Sequence, residues 1–170
     1  QFFIGSDNGS VNGIRGAMLS LPQVKDCKVF ENNTMVNDLA TGLKPGQIAV
    51  IINGLIDEVL AYKLFNTRSA GVCTVGDTEI EVVSNSGAYI TERFYSAQEK
   101  PLYIKVSNIS LTNSQAVDIA TQIKQSLLTR LGQYSSLGNK INYEKVLSCV
   151  FILEDIDEAK VEISTDNATW

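Results

Sequence analysis

"QIAVIINGLIDEVLAYKLFNTRSAGVCTVGDTEIEVV", residues 47–83, decides how the chain is read. Its first eight residues are a nearly continuous apolar run ending at Gly54, the pattern of a central strand buried on both faces. Residues 56–68 then set Ile56, Val59, Leu60 and Leu64 at helical spacing, with Asp57 and Glu58 in the first turn, where the helix dipole favours acids. From Thr78 the pattern changes to strict alternation. Ile80 and Val82 fall on one face and Glu79 and Glu81 on the other, which predicts a half-buried strand.

Between helix and strand lies SAGVCTVGDT, residues 69–78. Gly71, Gly76 and Thr78 match the phosphate-loop spacing G-x-x-x-x-G-K-[ST], but Asp77 stands where the lysine belongs. A phosphate loop leads from a strand through glycines into a helix N-terminus, whose N–H groups meet the anion. Here the order is reversed. The loop leaves a helix C-terminus of partial negative charge, and Asp77 adds another. Gly71 is therefore read as a left-handed helix terminator, and Gly76 with Asp77 as a turn into the strand.

Upstream, Val11, Ile14, Met18 and Leu21 predict a helix over 10–21, stopped by Pro22. Residues 24–32 predict a strand, and 33–46 a polar loop turning at Lys44, Pro45 and Gly46. Downstream, 88–95 alternates and pairs with 78–84 through the turn Asn85, Ser86 and Gly87. Residues 99–101 mark a boundary. A strand over 102–111 follows, then a helix capped by Thr112 and Gln115, with Ala116, Ile119, Ile123, Leu127 and Leu131 on one stripe and Gly132 just past its end. A helix over 141–153, with Tyr143, Val146, Leu147 and Val150 inward, and a strand over 159–164 complete the chain. The expected fold is α+β: two small two-layer subdomains, 8–99 and 100–170, with mainly antiparallel sheets. The first has the order α-β-β-α-β-β and the second β-α-α-β.

Composition narrows the chemistry. Of 170 residues 44% are hydrophobic and 19% charged, enough apolar matter for a packed core. No apolar run reaches the ~20 residues of a membrane-spanning helix. The net charge of −5, with scattered basic residues, argues against a nucleic-acid surface, which must neutralise phosphates. There is no histidine, so the commonest general base and metal ligand is missing. Cys27, Cys73 and Cys149 follow neither a disulfide nor a zinc spacing and are read as reduced, mostly buried thiols. Glu154, Asp155, Asp157 and Glu158 lack calcium-loop spacing and read as a solvated loop. Glu79 and Glu81 share a face, but no opposing carboxylate can be placed for hydrolysis. The six tyrosines, Tyr62, Tyr89, Tyr95, Tyr103, Tyr134 and Tyr143, are divided between interface anchors and caps on core edges. N-x-[ST] triplets at Asn32, Asn108 and Asn167 carry no weight without secretion. No catalytic, cofactor-binding or metal-binding residue is assigned. The first residue is not Met and the last residues form no cap, so the sequence is read as a piece of a longer chain.

Several segments together resemble the baseplate J-like family of contractile-tail phages. The matching residues are Leu21, Pro22, Val24, Val29, Asn32 and Thr34, then Pro45, Ile48, Val50, Ile52 and the helix from Ile56. Ser69, Ala70, Gly71, Thr74 and Gly76 follow, and Pro101 to Val106 resembles the family's later strand. Gln23 stands where Gly is usual, Arg68 where Lys is usual, and Cys73 where a small or polar residue is usual. The resemblance spans about 8–165. It implies a non-enzymatic structural component of a baseplate wedge, lacking the family's N-terminal region, in a phage, a prophage or a tail-derived bacteriocin. It also implies assembly in the bacterial host cytoplasm into the virion tail baseplate, oligomeric contacts with other wedge, hub and sheath proteins, and no cofactor, nucleic-acid or membrane partner. The competing readings are a small-ligand or glycan-binding α+β module with a pocket lined by tyrosine or Trp170, and a carboxylate-dependent hydrolase.

Overall fold

A computed structural model describes residues 9–112, 118–134 and 136–169. The chain is α+β. Among the described residues there are four helices and seven strands in two mostly antiparallel sheets, and the chain divides into two compact units at Gln98 and Glu99.

The first unit begins with helix α1, Val11–Leu19, whose N-cap Ser10 accepts a hydrogen bond from the Gly13 N–H. Strands β1, Val24–Asn32, and β2, Gln47–Gly54, pair antiparallel, from Asn32 opposite Gln47 to Val24 opposite Gly54. Helix α2, Glu58–Thr67, starts two residues later than the expected 56, because Asp57 is the N-cap and accepts from the Leu60 N–H. Then come β3, Cys73–Val75, β4, Thr78–Val83, and β5, Tyr89–Ser96. β3 is an addition to the expected order. The sheet runs β1-β2-β5-β4, with β3 also on β2.

β2 is central, as its apolar run predicts, and it shares one side between two partners. β3 lies parallel to residues 47–49 and β5 parallel to 51–52. The period of two sends Ile48, Val50 and Ile52 into a core with Ile14, Met18, Leu60, Leu64, Val82 and Phe94. Ala49 and Ile51 take the opposite face.

In the second unit β6, Tyr103–Leu111, pairs antiparallel with β7, Ile156–Ser164. Helices α3, Ile119–Gly132, and α4, Tyr143–Val150, lie between them in sequence, and Ile123, Val146, Val150, Ile156 and Val161 form the core. Four sequence expectations change here. The α3 cap is not at Thr112, whose N–H donates to the Asp155 carbonyl beside the β6/β7 ladder; α3 begins after Asp118, and Gln115 and Ala116 lie outside the described residues. Gly132 is the last helical residue, not the one beyond the end, since Gln133 remains right-handed. β7 starts at Ile156, so Asp157 and Glu158 are strand residues, not loop. In α4 Val146 and Val150 are fully buried, but Tyr143 is 49% exposed and Cys149 fills the inward position.

Candidate functional site

The 69–78 stretch is a structural junction. Arg68 leaves the helical conformation (ψ 157°) and ends α2. Gly71 is left-handed, with φ +81°, but it shapes a turn three residues beyond that cap and does not terminate the helix. Gly76 is not simply a turn residue either. A Cβ built on it would lie 2.1 Å from the Phe94 carbonyl oxygen, so only glycine lets the chain pass β5 between β3 and β4.

A buried charge sits behind this junction. Glu92 is 0% exposed and occupies an inward position between Ile90 and Phe94. Arg68 Nε donates to Glu92 Oε1 at 2.7 Å, and the Thr74 hydroxyl donates to Oε2 at 2.9 Å. Arg68 Nη1 also reaches the Val72 carbonyl at 2.8 Å, and the Arg93 N–H donates to Thr74 Oγ1 at 3.0 Å. Four segments are thereby tied together: the end of α2, the 69–72 turn, β3 and β5. A carboxylate so enclosed and so bonded is a lock, with no access for a substrate. The sequence holds one signal for it, an acid in the apolar register of residues 90, 92 and 94.

A second buried polar side chain pins the 33–46 loop. Asn32 is 3% exposed, and its amide nitrogen donates to the Val36 and Leu43 carbonyls, both at 2.8 Å. Its Oδ1 accepts from the Thr34 N–H and hydroxyl. With both amide donors engaged, Asn32 is no glycan acceptor in the folded chain. Further along, Asp38 accepts from the Thr41 hydroxyl and the Ala40 N–H, which hold its carboxyl below the usual range. This ordered loop nevertheless presents Met35 at 93%, Val36 at 69% and Leu39 at 97% exposure.

Beneath the loop, on the sheet face away from α1 and α2, a groove of about 440 Å³ is lined by Phe30, Leu43, Ala49, Ile51, Val75 and Tyr95. Its polar lining is small, Thr41, Gln47 and Tyr95, and is partly committed. The Thr41 hydroxyl serves Asp38, and Gln47 Oε1 accepts from the Lys44 N–H.

The remaining sequence candidates stay apart. Glu79 pairs with Arg93 at 2.7 Å, and Glu81 is exposed beside it. Among the described residues no cluster of three or more His, Cys, Asp or Glu side chains could hold a metal ion. Likewise, none of their helices is long and apolar enough to cross a membrane. Cys27 and Cys149 are buried as expected, whereas Cys73 is exposed; burial pushes the Cys27 thiol up to about 12. All six tyrosines are at least 38% exposed, and the Tyr143 hydroxyl donates to the carbonyl of the buried Val161 at the edge of the second core. Trp170 lies outside the described residues.

The geometry defines a two-unit α+β protein whose buried polar groups hold loops and junctions in place beneath an apolar, aromatic surface. A family model designated DUF276 matches residues 6–169, and the chain belongs to that family. No curated protein matches the chain.

Proposed function

We propose that the chain is a structural component of a contractile-tail baseplate wedge, joining neighbouring subunits through surface contacts. The observation that carries this reading is the 33–46 loop. Single exposed apolar residues are ordinary on protein surfaces. Three of them on one loop, fixed from below by a buried asparagine, are what a protein–protein contact requires, because little ordering entropy remains to be lost on binding. The six exposed tyrosines suit the same role, being amphipathic side chains enriched at interfaces. The open strands of the β6/β7 ladder offer further edges for subunit contact. The segment pattern from Leu21 to Val106 supplies the assignment to a baseplate.

A small-ligand module is less well supported, because the sheet-face groove has no charged side chain in its lining and only Thr41, Gln47 and Tyr95 as polar ones. The test is co-expression of the full-length protein with the neighbouring wedge protein, followed by mass measurement in solution. A complex that forms with the native chain and is lost in Met35→Ser/Leu39→Ser supports the assembly role. A chain that stays monomeric in every combination defeats it.

A further inference from the structure

The sheet of the first unit has two edges, β1 and β4, finished in different ways. On β1 both backbone groups of Cys27 are occupied by side chains. Its N–H donates to Asp26 Oδ1 at 2.8 Å, and its carbonyl accepts from Arg15 Nε at 2.9 Å. A register shift between Val24 and Asp26 also bends this edge. Bulges and charged side chains of this kind keep an edge from pairing.

β4 is different. It pairs with β5 over six residues, from Thr78 opposite Phe94 to Val83 opposite Tyr89, and its other side borders α2. Two shallow grooves of about 510 and 730 Å³ run between β4 and α2 and share Glu58, Val59 and Glu81, which makes them one trough. Its apolar lining includes Val59, Tyr62 and Val83, which are 59%, 44% and 51% exposed. Its acidic lining is Asp57, Glu58, Glu79 and Glu81. Arg93 compensates Glu79 and Asp57 is committed to the α2 cap, which leaves Glu58 and Glu81 as the charges facing a newcomer.

We infer that this trough binds an extended segment of a partner protein, which adds a strand to β4 and carries Lys or Arg among apolar residues. An open strand edge beside a helix provides main-chain pairing on one wall and side-chain contact on the other. Long basic side chains lay their stems on apolar surface and carry their charge to a carboxylate, here over Val59 and Tyr62 toward Glu58 and Glu81. A second copy does not fit through its β4 or β1 edge, and a dimer that joins β4 to the β6/β7 ladder of another copy is an outcome that the test below separates. Two β4 edges would bring Glu79 and Glu81 against their own equivalents, and the β1 edge is closed at Cys27. The inference stands apart from the baseplate reading, since it rests on the β4 edge alone.

The test uses the whole chain as bait for a displayed library of random nine-residue peptides, with Glu58→Gln/Glu81→Gln as a parallel bait. Circular dichroism confirms that this surface variant is folded. The expected binders are enriched in Lys or Arg alternating with apolar residues. A synthetic copy of the strongest binder should slow amide exchange across residues 78–83 and weaken with added salt. It should bind the double variant about fivefold less tightly, the scale of two partly exposed ion pairs. The inference is overturned if no binder is selected, if binders show no basic enrichment, or if the variant binds them equally. Protection appearing elsewhere than 78–83, or a dimer formed through β4, overturns it as well.

Discussion

Replacing Arg68 by alanine removes the cation that faces a fully buried carboxylate. Glu92 would keep only the Thr74 hydroxyl, and the Val72 carbonyl would lose its donor. Arg68 is itself 13% exposed in its side chain, so water gives this pair little relief. Breaking one partner of a buried ion pair costs about 3–5 kcal/mol. The first unit has roughly 90 described residues, and at about 0.05–0.15 kcal/mol per residue its stability is roughly 5–13 kcal/mol. Arg68→Ala should therefore remove about a quarter of it or more. Arg68→Met/Glu92→Leu, which removes both charges and refills the space, should cost much less than the sum of the single changes, because neither ion is left stranded. Arg68→Lys keeps the charge but cannot reach Glu92 and Val72 with separate nitrogens in one plane, and should fall between native and alanine.

Two units need not unfold together, so the measurement has to be local. Native-state amide exchange at Val75 and Phe94, followed through low urea concentrations, reports the opening of this junction. A lowering of the opening free energy by less than about 1 kcal/mol in Arg68→Ala, the value of an exposed pair, would refute a role for Arg68 as the partner of a buried charge. That role is also refuted if the double replacement costs as much as the two single ones added together.

Other outcomes follow from single contacts. Gly76→Ala drives a methyl group into the Phe94 backbone and should destabilise the first unit by about 3 kcal/mol or more in urea unfolding followed by the Phe94 amide signal. Asn32→Ala removes the two bonds that tie the loop to β1 and leaves the Val36 and Leu43 carbonyls only their donors within the loop, the Thr34 hydroxyl and the Asp38 N–H, so limited proteolysis should cut the 33–46 loop many times faster than in the native chain while β4 and β5 stay intact. Iodoacetamide at pH 8 should label Cys73 and spare Cys27 and Cys149 until the chain unfolds, as mass spectrometry of the peptides would show. The raised Cys27 value has a definite sign: the folded chain holds that proton more tightly than the unfolded one. Its contribution is complete below the ordinary 9.0 and declines as pH rises from there through about 12, so stability should fall with pH across that window and Cys27→Ala should flatten the slope.

What the sequence disclosed depended on the length of each pattern. β2 has an apolar run of several residues, α2 three turns of helical spacing, and β4 with β5 a double alternation around an Asn-Ser-Gly turn, and each stands where its pattern puts it. β3 has three residues, too few for a period of two to declare itself, and its partner on β2 lies more than twenty positions away. The start of β7 was hidden for a related reason, because Ile156 is a single apolar residue among four acids. The surfaces were less legible than the core. Residues 33–46 carry the pattern of a polar loop, in which nothing local shows that Asn32 fixes Met35, Val36 and Leu39 from below, and an open edge on β4 is a property of sheet order, which no local pattern contains.

The buried Glu92 is best understood from the problem that the sheet has to solve at β2. One side of that strand is divided between β3 and β5, each held by only two or three parallel pairings. Parallel pairing is slightly weaker per residue than antiparallel, and a three-residue strand has little to oppose a slip in register. Apolar packing opposes such a slip only weakly here, because β2 is apolar on both faces and β3 has three residues. A carboxylate with one oxygen on Arg68 and the other on Thr74 does not tolerate it, since a shift of one residue would leave a buried charge without its donors. The ionic group therefore sets position where hydrophobic contact sets only proximity. It works at the one seam where α2, β3 and β5 must meet in a single arrangement, and where Gly76 gives them room to do so.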